Sequence, residues 1–435
     1  MSKMIYAWGG ICLAVIILEL ASPNESYAIP AFARKYKTSC ATCHNGYPKL
    51  NAFGEAFRRN GYQFPAHGDA EAIKEEPVSM GSEGNKRAFP DAIWPGTIPG
   101  SSPVSLFLNG EVDYNPKVEP RFTFDGLGSS IEAIAGGTLG DDLSFWGQAS
   151  LGTEGLELNR VFLIFSNVIG DSYALNARVG VFEPGLFSFS THRAWMEGYW
   201  FTTRPFNDDM GWTFEETQKG IELNGMARGR FGYSAGIVEG FGSLHSDKDY
   251  YAHATYKFGG MPLDGVVEGT LATGGSQPYI DNSVTIGAFA YAGSAMIGSG
   301  TALQENKFNE FGGDFNAFYD RFNLFGGIGI RHDDQPFLGE LGTSANTATW
   351  FSELDVTVFP WLLPGIRFES WNSHMIDPTS GDVVSYTDNQ IVPGVVVLIR
   401  ANVKAVLRAS FARQESLGDT KFEPGQVILF LAVGI

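Results

Sequence analysis

From residue 104 to the last residue, apolar and polar side chains alternate along one segment after another. A period of two is typical of β-strands, because successive side chains point to opposite faces of a strand. The alternation is clear in residues 321–331. The apolar face there carries Phe322, Leu324, Ile328 and Ile330, and the polar face carries Arg321, Asn323 and Arg331. The body of the chain is therefore predicted to be an antiparallel β-sheet.

The length and the polar faces of these segments favour a membrane barrel. They run for about nine to twelve residues, the length at which a tilted strand crosses a bilayer. Their polar faces carry charges of both signs in mid-strand, which suits a water-filled lumen better than the core of a soluble sandwich. About 17 segments can be delimited, and closure usually needs an even number. We predict an all-β transmembrane barrel of about 16 antiparallel strands, with 14 to 18 open.

Two longer polar stretches, residues 187–219 and 375–390, are predicted to be extracellular loops. The pair His192-Arg193 lies in the first of them and is predicted to be an exposed polar pair. With an even number of strands, both ends of the barrel chain lie on the periplasmic side. The segment before the barrel is therefore expected at the periplasmic mouth or inside the lumen.

Composition narrows the function. The 435 residues are 44% hydrophobic and 14% aromatic, with 54 Gly and a net charge of −18. Nucleic acid is an unsuitable partner, because phosphate binding needs clustered Lys and Arg. The charge is uneven: residues 29–100 hold nine Lys and Arg against seven Asp and Glu, and residues 101–435 hold 20 against 39. An acidic lumen would attract cations such as Fe(II); solvated acidic loops would give the same balance, and both explanations stay open.

The N-terminus is typical of an export signal. Lys3 precedes an apolar core at residues 11–18, and Ser26-Tyr27-Ala28 is a small-x-small site with cleavage expected after Ala28. Cys12 would be lost with the signal. The predicted organisation is a signal peptide at 1–28, a small helical domain at 29–93, a Pro/Gly-rich linker at 94–103 and the barrel at 104–435.

The small domain carries Cys40-Ala41-Thr42-Cys43-His44, the C-x-x-C-H pattern of covalent c-type haem attachment. Two thiols at this spacing add to the two vinyl groups of one porphyrin, and the next residue supplies a proximal imidazole to the iron. A redox cysteine pair would be expected in a βαβ context, and a zinc site would need further ligands. One covalent haem c on Cys40 and Cys43, with His44 as iron ligand, is predicted.

A short helix is predicted to support this site. Pro48 fits its first position, Phe53 and Phe57 share its apolar face, and Gly61 fits the position just past its end.

The sixth iron ligand is less constrained by sequence. Met80 is the candidate, with His67 as the alternative, because they are the remaining Met and His of the small domain. The sequence also allows a side chain from the barrel or an open site.

One stretch resembles a known family. The residues are Pro30-x-Phe32-Ala33-Arg34, Cys40-x-x-Cys43-His44 and Tyr47-Pro48-x-Leu50-x-x-Phe53-Gly54-x-x-Phe57-Arg58-x-x-Gly61-Tyr62. They resemble the fused monohaem cytochrome–porins of bacterial outer membranes, a family that includes the iron-oxidising outer-membrane c-type cytochrome. The resemblance is specific over about residues 28–65 and only architectural over the barrel. It implies one haem c domain before a barrel of about 16 strands, and electron transfer from extracellular Fe(II) to periplasmic c-type cytochromes.

The expected function is therefore electron transfer across the outer membrane, with lipid, a periplasmic c-type cytochrome and Fe(II) or another extracellular redox partner as partners. Outward electron flow to an extracellular acceptor fits the sequence equally. A solute porin with a regulatory haem domain and a soluble periplasmic haem enzyme are the competing functions. No catalytic residues are predicted, because no Ser-His-Asp, P-loop or HExxH pattern stands out. The expected activity is that of an electron carrier, at most an outer-sphere Fe(II) oxidase.

Overall fold

The structure is a computed structural model, and it describes 17 stretches of the chain. These are residues 31–65, 69, 78–79, 87–88, 97–98, 103–125, 130–139, 142–152, 155–204, 213–214, 217–240, 248–267, 280–299, 302–339, 344–376, 383–414 and 422–434. The predicted signal peptide and most of the predicted linker lie outside them. Within these stretches, no helix is both long and apolar enough to cross a membrane.

The N-terminal segment, residues 31–65, contains two short helices and one 3-10 turn. Helix α1 spans Ala31–Tyr36, the 3-10 turn spans Cys40–Thr42, and helix α2 spans Ala52–Arg59. Helix α2 begins after the predicted first position, Pro48. Asn51 is its N-cap residue, because the Asn51 Oδ1 accepts a hydrogen bond from the Gly54 N–H at 2.8 Å. Gly61 follows the helix with a φ of 71°, as predicted for a left-handed position just past the end. Outside the barrel, a short strand pairing in the described residues joins Val78–Ser79 to Thr97–Ile98.

In the described residues, 16 antiparallel strands form one closed barrel. The strands are β1 (Val104–Tyr114), β2 (Phe122–Asp125 and Ser130–Thr138), β3 (Leu143–Gly152), β4 (Gly155–Ile169), β5 (Leu175–Phe182), β6 (Gln218–Ala227), β7 (Phe231–Val238), β8 (Asp249–Gly259), β9 (Ser283–Ser299), β10 (Ala302–Tyr319), β11 (Phe322–Asp333), β12 (Ala345–Val356), β13 (Leu362–Ile376), β14 (Val383–Arg400), β15 (Val403–Gln414) and β16 (Glu423–Gly434).

Strand β2 explains why 17 segments make 16 strands. Its two parts pair with the same neighbour: Phe122 lies opposite Tyr114 and Ile131 lies opposite Leu108, both on β1. The barrel closes where β16 pairs with the other edge of β1, with Val427 opposite Tyr114. The prediction of an all-β barrel of 16 strands is confirmed.

Alternation along the strands separates an outer apolar surface from an inner polar one. On β11, Leu324 and Ile330 are 42% and 59% exposed, whereas Asn323 and Arg331 point inward and are buried. Large exposed apolar side chains recur on the outside of most strands. Such a continuous apolar surface is stable in lipid and not in water. The fold is that of a membrane-embedded barrel.

The two ends of the barrel differ in their connections. Most connections at the end where β1 begins and β16 ends are short, namely 139–142, 170–174, 228–230, 320–321, 357–361 and 401–402. Outer-membrane barrels have short periplasmic turns and longer extracellular loops, so this end is the periplasmic one. The N-terminal segment lies here: the Ala31 N–H donates to Ser105 Oγ at 2.8 Å, and Arg34 donates to the Val104 carbonyl at 2.7 Å.

Both predicted extracellular loops need correction. Residues 375–390 are mostly strand, since β13 runs to Ile376 and β14 starts at Val383. In the described part, Asp388 and Gln390 are buried, and Asp388 pairs with Arg204 at 2.5 Å. The connection 183–217 does start and end at the outer end, but its described part to residue 204 folds into the lumen. Its aromatic side chains drive this burial; Tyr199 and Phe201, for example, are buried.

The lumen is not the water-filled space that the mid-strand charges suggested. One apolar cluster joins the N-terminal segment, the connection 183–204 and the inner faces of several strands. Glu353 and Asp355 are fully buried within this interior. Some inward charges pair with the N-terminal segment and the connection 183–204, which we call the inserted segments. Others pair within the barrel, as Arg331 does with Asp333 at 2.8 Å.

Candidate functional site

The C-x-x-C-H motif forms a compact turn fixed to the start of α2. The backbone N–H of His44 donates to the Cys40 carbonyl at 2.9 Å. The Asn51 side-chain amide donates to the carbonyls of Ala41 and Thr42 at 3.1 and 3.0 Å. Asn51 thus caps α2 with its oxygen and holds the motif with its nitrogen. The motif and helix α2 are therefore joined by Asn51 into one structural unit.

Cys40, Cys43 and His44 line the same cavity, which has a volume of about 440 Å³. The N-terminal segment forms one side of it, with Phe57 and Tyr62 among the apolar lining residues. The barrel forms the other side, through strands β1–β5 and β14–β16. The three residues that the motif singled out are therefore brought together inside the barrel.

His44 is held in one tautomer. Its Nδ1 lies 3.1 Å from the carbonyl oxygen of Pro48. A carbonyl only accepts hydrogen bonds, so Nδ1 carries the proton and Nε2 has a free lone pair. Burial, together with the nearby charges of Lys404 and Arg193, outweighs the backbone hydrogen bonds and lowers the pKa of His44 to about 4. The imidazole is neutral at physiological pH, the state required of a metal ligand.

Cys40 and Cys43 form no disulfide. Burial raises the pKa of Cys40, and burial followed by the proximity of Cys40 raises the pKa of Cys43 to about 12. A redox-active cysteine pair needs a lowered thiol pKa, because the thiolate is the nucleophile. The environment of these thiols does not provide it.

Cations predominate on the wall of the cavity. Five cationic side chains line it, namely Arg58, Arg160, Arg178, Arg193 and Lys404, against the carboxylates of Glu132, Glu183 and Glu197. Burial raises the pKa of Glu183, but Arg193, His192 and Arg160 outweigh it and hold that pKa at about 2. The Nε atoms of Arg178 and Arg193 have no hydrogen-bond partner among the described residues. Three of these cations are paired with carboxylates: Arg58 with Glu55 at 2.8 Å, Arg178 with Glu222 at 2.7 Å and Arg193 with Glu183 at 3.4 Å. The remaining donor capacity on this wall lies in the two Nε atoms.

The N-terminal segment spans the lumen. Tyr62 stacks on Trp146 of β3 with ring centroids 5.2 Å apart, and Lys49 lies 4.3 Å from the ring centroid of Phe325 on β11, eight strands away. Asn60 also donates to the Asp264 carbonyl at 2.9 Å. In a barrel of 16 strands, β3 and β11 are on opposite sides. The segment thus crosses the lumen from wall to wall.

The connection 183–204 lies beside this segment and is tied to both it and the barrel. The Trp195 indole N–H donates to the Asn45 carbonyl at 2.5 Å, directly after His44. The Ser188 N–H donates to Asp314 and the Tyr199 hydroxyl donates to Glu353, both at 2.8 Å.

The prediction that His192 and Arg193 are an exposed pair is wrong, because both line the cavity. The dense aromatic residues around them were the sequence signal of this burial.

Two acidic strand residues hold the inserted segments. Asp355 forms a buried ion pair with Lys49 of the N-terminal segment. Glu353 accepts from Tyr199 and lies 3.5 Å from Arg367. Asp113 accepts from Gln426. These three carboxylates are therefore engaged with protein partners.

The predicted sixth ligands, Met80 and His67, lie outside the described residues. Among the residues that the structure does describe, no three His, Cys, Asp or Glu side chains cluster in a way that could hold a metal ion by themselves.

Comparison with known proteins defines the class of fold. No protein-family model matches the chain, and no curated protein is similar to it. Among solved structures, it is similar to OmpF of Salmonella typhi in complex with daunomycin, with a TM-score of 0.51 at 9% identity over 76% of this chain and 97% of that chain. It is similar to the outer-membrane channel DcaP of Acinetobacter baumannii, with a TM-score of 0.50 at 9% identity over 76% and 96%.

The trimer form of Vibrio cholerae OmpT has a TM-score of 0.50 at 11% identity over 76% of this chain and 98% of that chain. The fold is thus a porin-like outer-membrane β-barrel.

Proposed function

We propose that this chain is an outer-membrane electron-transfer protein carrying one haem c, bound covalently through Cys40 and Cys43 with His44 as axial ligand. The observation that carries the proposal is that both thiols and the imidazole line one cavity inside the barrel. Its volume, about 440 Å³, is within the usual range of cofactor sites, roughly 300–1,000 Å³.

The residues of the cavity fit such a group. His44 presents a free Nε2, because the Pro48 carbonyl holds its Nδ1 proton. The apolar rings of Phe57 and Tyr62 suit a porphyrin face. The Nε atoms of Arg178 and Arg193, which have no hydrogen-bond partner among the described residues, could donate to the two carboxylates of a haem.

When bound, the group supplies a one-electron couple between ferrous and ferric iron. The residues of the chain would orient the imidazole, through the hydrogen bond between His44 Nδ1 and the Pro48 carbonyl, and would line the group with apolar rings. The cavity lies toward the periplasmic end, where a periplasmic c-type cytochrome could approach it. Extracellular Fe(II) is the proposed donor, with outward transfer to an extracellular acceptor as the alternative direction.

The second candidate function is a solute porin with a regulatory haem domain. The similarity in fold to OmpF and to the channel DcaP favours it. The N-terminal segment argues for the first function, because it contacts strands on opposite sides of the barrel and so obstructs the lumen. A solute porin needs that cross-section open.

Purification in detergent tests both functions together. The first function predicts a haem that stays on the chain after denaturation, a spectrum that changes when Fe(II) is added, and little ion conductance in planar bilayers. A chain without covalent haem would overturn the proposal. Covalent haem that Fe(II) does not reduce, in a protein with large steady conductance, would favour the regulated porin instead.

A further inference from the structure

The connection 183–204 brings a second histidine to the cavity. His192 lies in a 3-10 turn spanning Thr191–Arg193 and lines the same cavity as His44. Among the described residues, these are the two histidines of that cavity, and no methionine lines it. Imidazole and thioether are the usual protein ligands of a six-coordinate haem iron. His192 is therefore the candidate ligand that the described cavity offers besides His44.

The backbone keeps His192 close to His44. Trp195, three residues after His192, donates to the Asn45 carbonyl at 2.5 Å, and Asn45 directly follows His44. Three residues of fully extended chain span at most about 11 Å. The segments that carry the two imidazoles are thus in direct contact, and both side chains line the same cavity.

The connection is fixed on both sides of His192. Before it, the Ser190 hydroxyl donates to Glu183 Oε1 at 2.8 Å. After it, Ala194 and Trp195 are buried, at 3% and 4% exposure. The connection therefore presents His192 from a rigid turn.

From these contacts we infer that His192, on the inward-folded connection of the barrel, is the second axial ligand of the haem iron. The inference rests on the proposed function. It gives the barrel a direct part in the site, because the small domain supplies the thiols and one imidazole and the barrel supplies the other. The sixth ligand predicted from the sequence, Met80 or His67, is the competing assignment.

Spectroscopy of the purified holoprotein tests the assignment without an activity measurement. Electron paramagnetic resonance and near-infrared magnetic circular dichroism distinguish bis-imidazole, imidazole–thioether and five-coordinate ferric haem. The wild type is expected to be low-spin and bis-imidazole. His192→Ala is expected to become high-spin, and added imidazole should restore the low-spin spectrum. His374→Ala is the matched control, since His374 is an exposed barrel histidine and its removal should change nothing.

His192→Met keeps the assignment testable if the alanine variant does not fold. It is expected to give an imidazole–thioether spectrum and a higher reduction potential than the wild type, because a Met ligand raises the potential relative to a second His. A bis-imidazole spectrum that persists in His192→Ala would overturn the inference, as would loss of the low-spin state in Met80→Ala or His67→Ala with His192 intact. Absence of covalent haem from the wild type would instead overturn the proposed function.

Discussion

Strands β7–β12 and the arc formed by β14–β16 with β1–β5 line different sides of one barrel, and they face different contents. Against β7–β12, aromatic side chains of the connection 183–204 pack on inward-facing Phe289, Phe325 and Phe351. Against the other arc lies the cavity that holds Cys40, Cys43 and His44. Both walls have the same alternating strands. The inserted segments, and not the strand pattern, decide which wall is packed and which one bounds a site.

The difference shows how a porin fold can be adapted. Aromatic side chains on one side of the lumen fix the inserted segments by packing, and the buried carboxylates of that wall, such as Asp355, are paired with groups on those segments. The other side can then keep a defined space with cationic and imidazole groups on its wall. The packed side is expected to determine stability, and the cavity side is expected to determine chemistry.

The largest expected effect is on the cavity side. Replacing both motif cysteines, in Cys40→Ala/Cys43→Ala, should abolish covalent haem, because no other cysteine is predicted to remain in the mature chain. Haem staining after denaturing electrophoresis measures this loss. The packed side should be unaffected, so the variant should still show the heat-dependent mobility of a folded barrel. Haem that remained attached in this variant would contradict the assignment of the motif.

The packed wall should be the more sensitive one to loss of an aromatic side chain. Phe351 is 1% exposed, and its ring centroid lies 5.1 Å from that of Tyr199 and 5.3 Å from that of Phe189. Phe351→Ala is expected to cost about 3–5 kcal/mol, the usual range for a buried Phe. Urea unfolding in detergent measures it.

Phe430 of the cavity wall is the matched control for Phe351. Because open space lies on one side of it, Phe430→Ala should cost clearly less when both variants are made in the Cys40→Ala/Cys43→Ala chain. Equal losses at the two positions would remove the distinction between the walls.

The ion pair of Lys49 with Asp355 joins the N-terminal segment to the packed wall. Both side chains are almost fully buried, at 10% and 1% exposure. Lys49→Met leaves Asp355 without its partner, and breaking a buried pair in this way usually costs about 3–5 kcal/mol. A loosened segment should also raise the ion conductance in planar bilayers.

Lys117→Met is the control for Lys49→Met, because its pair with Glu423 is exposed and should contribute at most about 1 kcal/mol. Lys49→Met with unchanged stability and unchanged conductance would show that the segment does not depend on this contact.

A smaller effect is expected on the pH dependence of stability, through the carboxyl of Glu55 and the arginines near it. Burial raises the pKa of Glu55, but Arg58, Arg193 and Arg59 outweigh it and lower that pKa from 4.5 to about 2. A carboxyl with a lowered folded-state pKa stabilises the protein fully above its unfolded value and loses this contribution as the pH falls through the folded value. The window is therefore pH 4.5 to about 2. The loss amounts to at most roughly 3 kcal/mol.

Glu55→Gln should flatten the acid limb of the unfolding profile in that window, and Glu119→Gln, at an exposed pair with Arg121, should leave the limb unchanged. Identical acid limbs for wild type and Glu55→Gln would show that the arginines do not act on this carboxyl.

Much of the fold could be predicted from the sequence. The two-residue period marked the strands, and the need for closure reduced 17 segments to 16 strands. The start of α2 was misplaced, because a Pro and an Asn are both plausible near a helix N-terminus and only the backbone geometry selects between them. The connection 183–204 was assigned to the outside, because its length and its polar residues resemble a loop. Its aromatic residues become buried only because the lumen of the barrel is wide enough to hold them.

The candidate site also has one part that could be predicted from the sequence and one part that could not. The spacing of Cys40, Cys43 and His44 is local, so it could be recognised in the sequence and holds whatever the tertiary structure is. The contact between Lys49 and Asp355 joins residues separated by 306 positions. His192 likewise lines the same cavity as His44 although the two lie far apart in the sequence. Such contacts depend on which segment enters the lumen and from which side.

By itself, the sequence determined the alternating strands and the C-x-x-C-H motif, because both are repeats or spacings within a few residues. Only the tertiary structure decided that the motif lies inside the barrel, that Glu353 and Asp355 bind the inserted segments, and that His192 of the connection 183–204 shares the cavity. The physical reason is that buried charges and aromatic rings need partners, and distant parts of the chain supply those partners only after the barrel has closed.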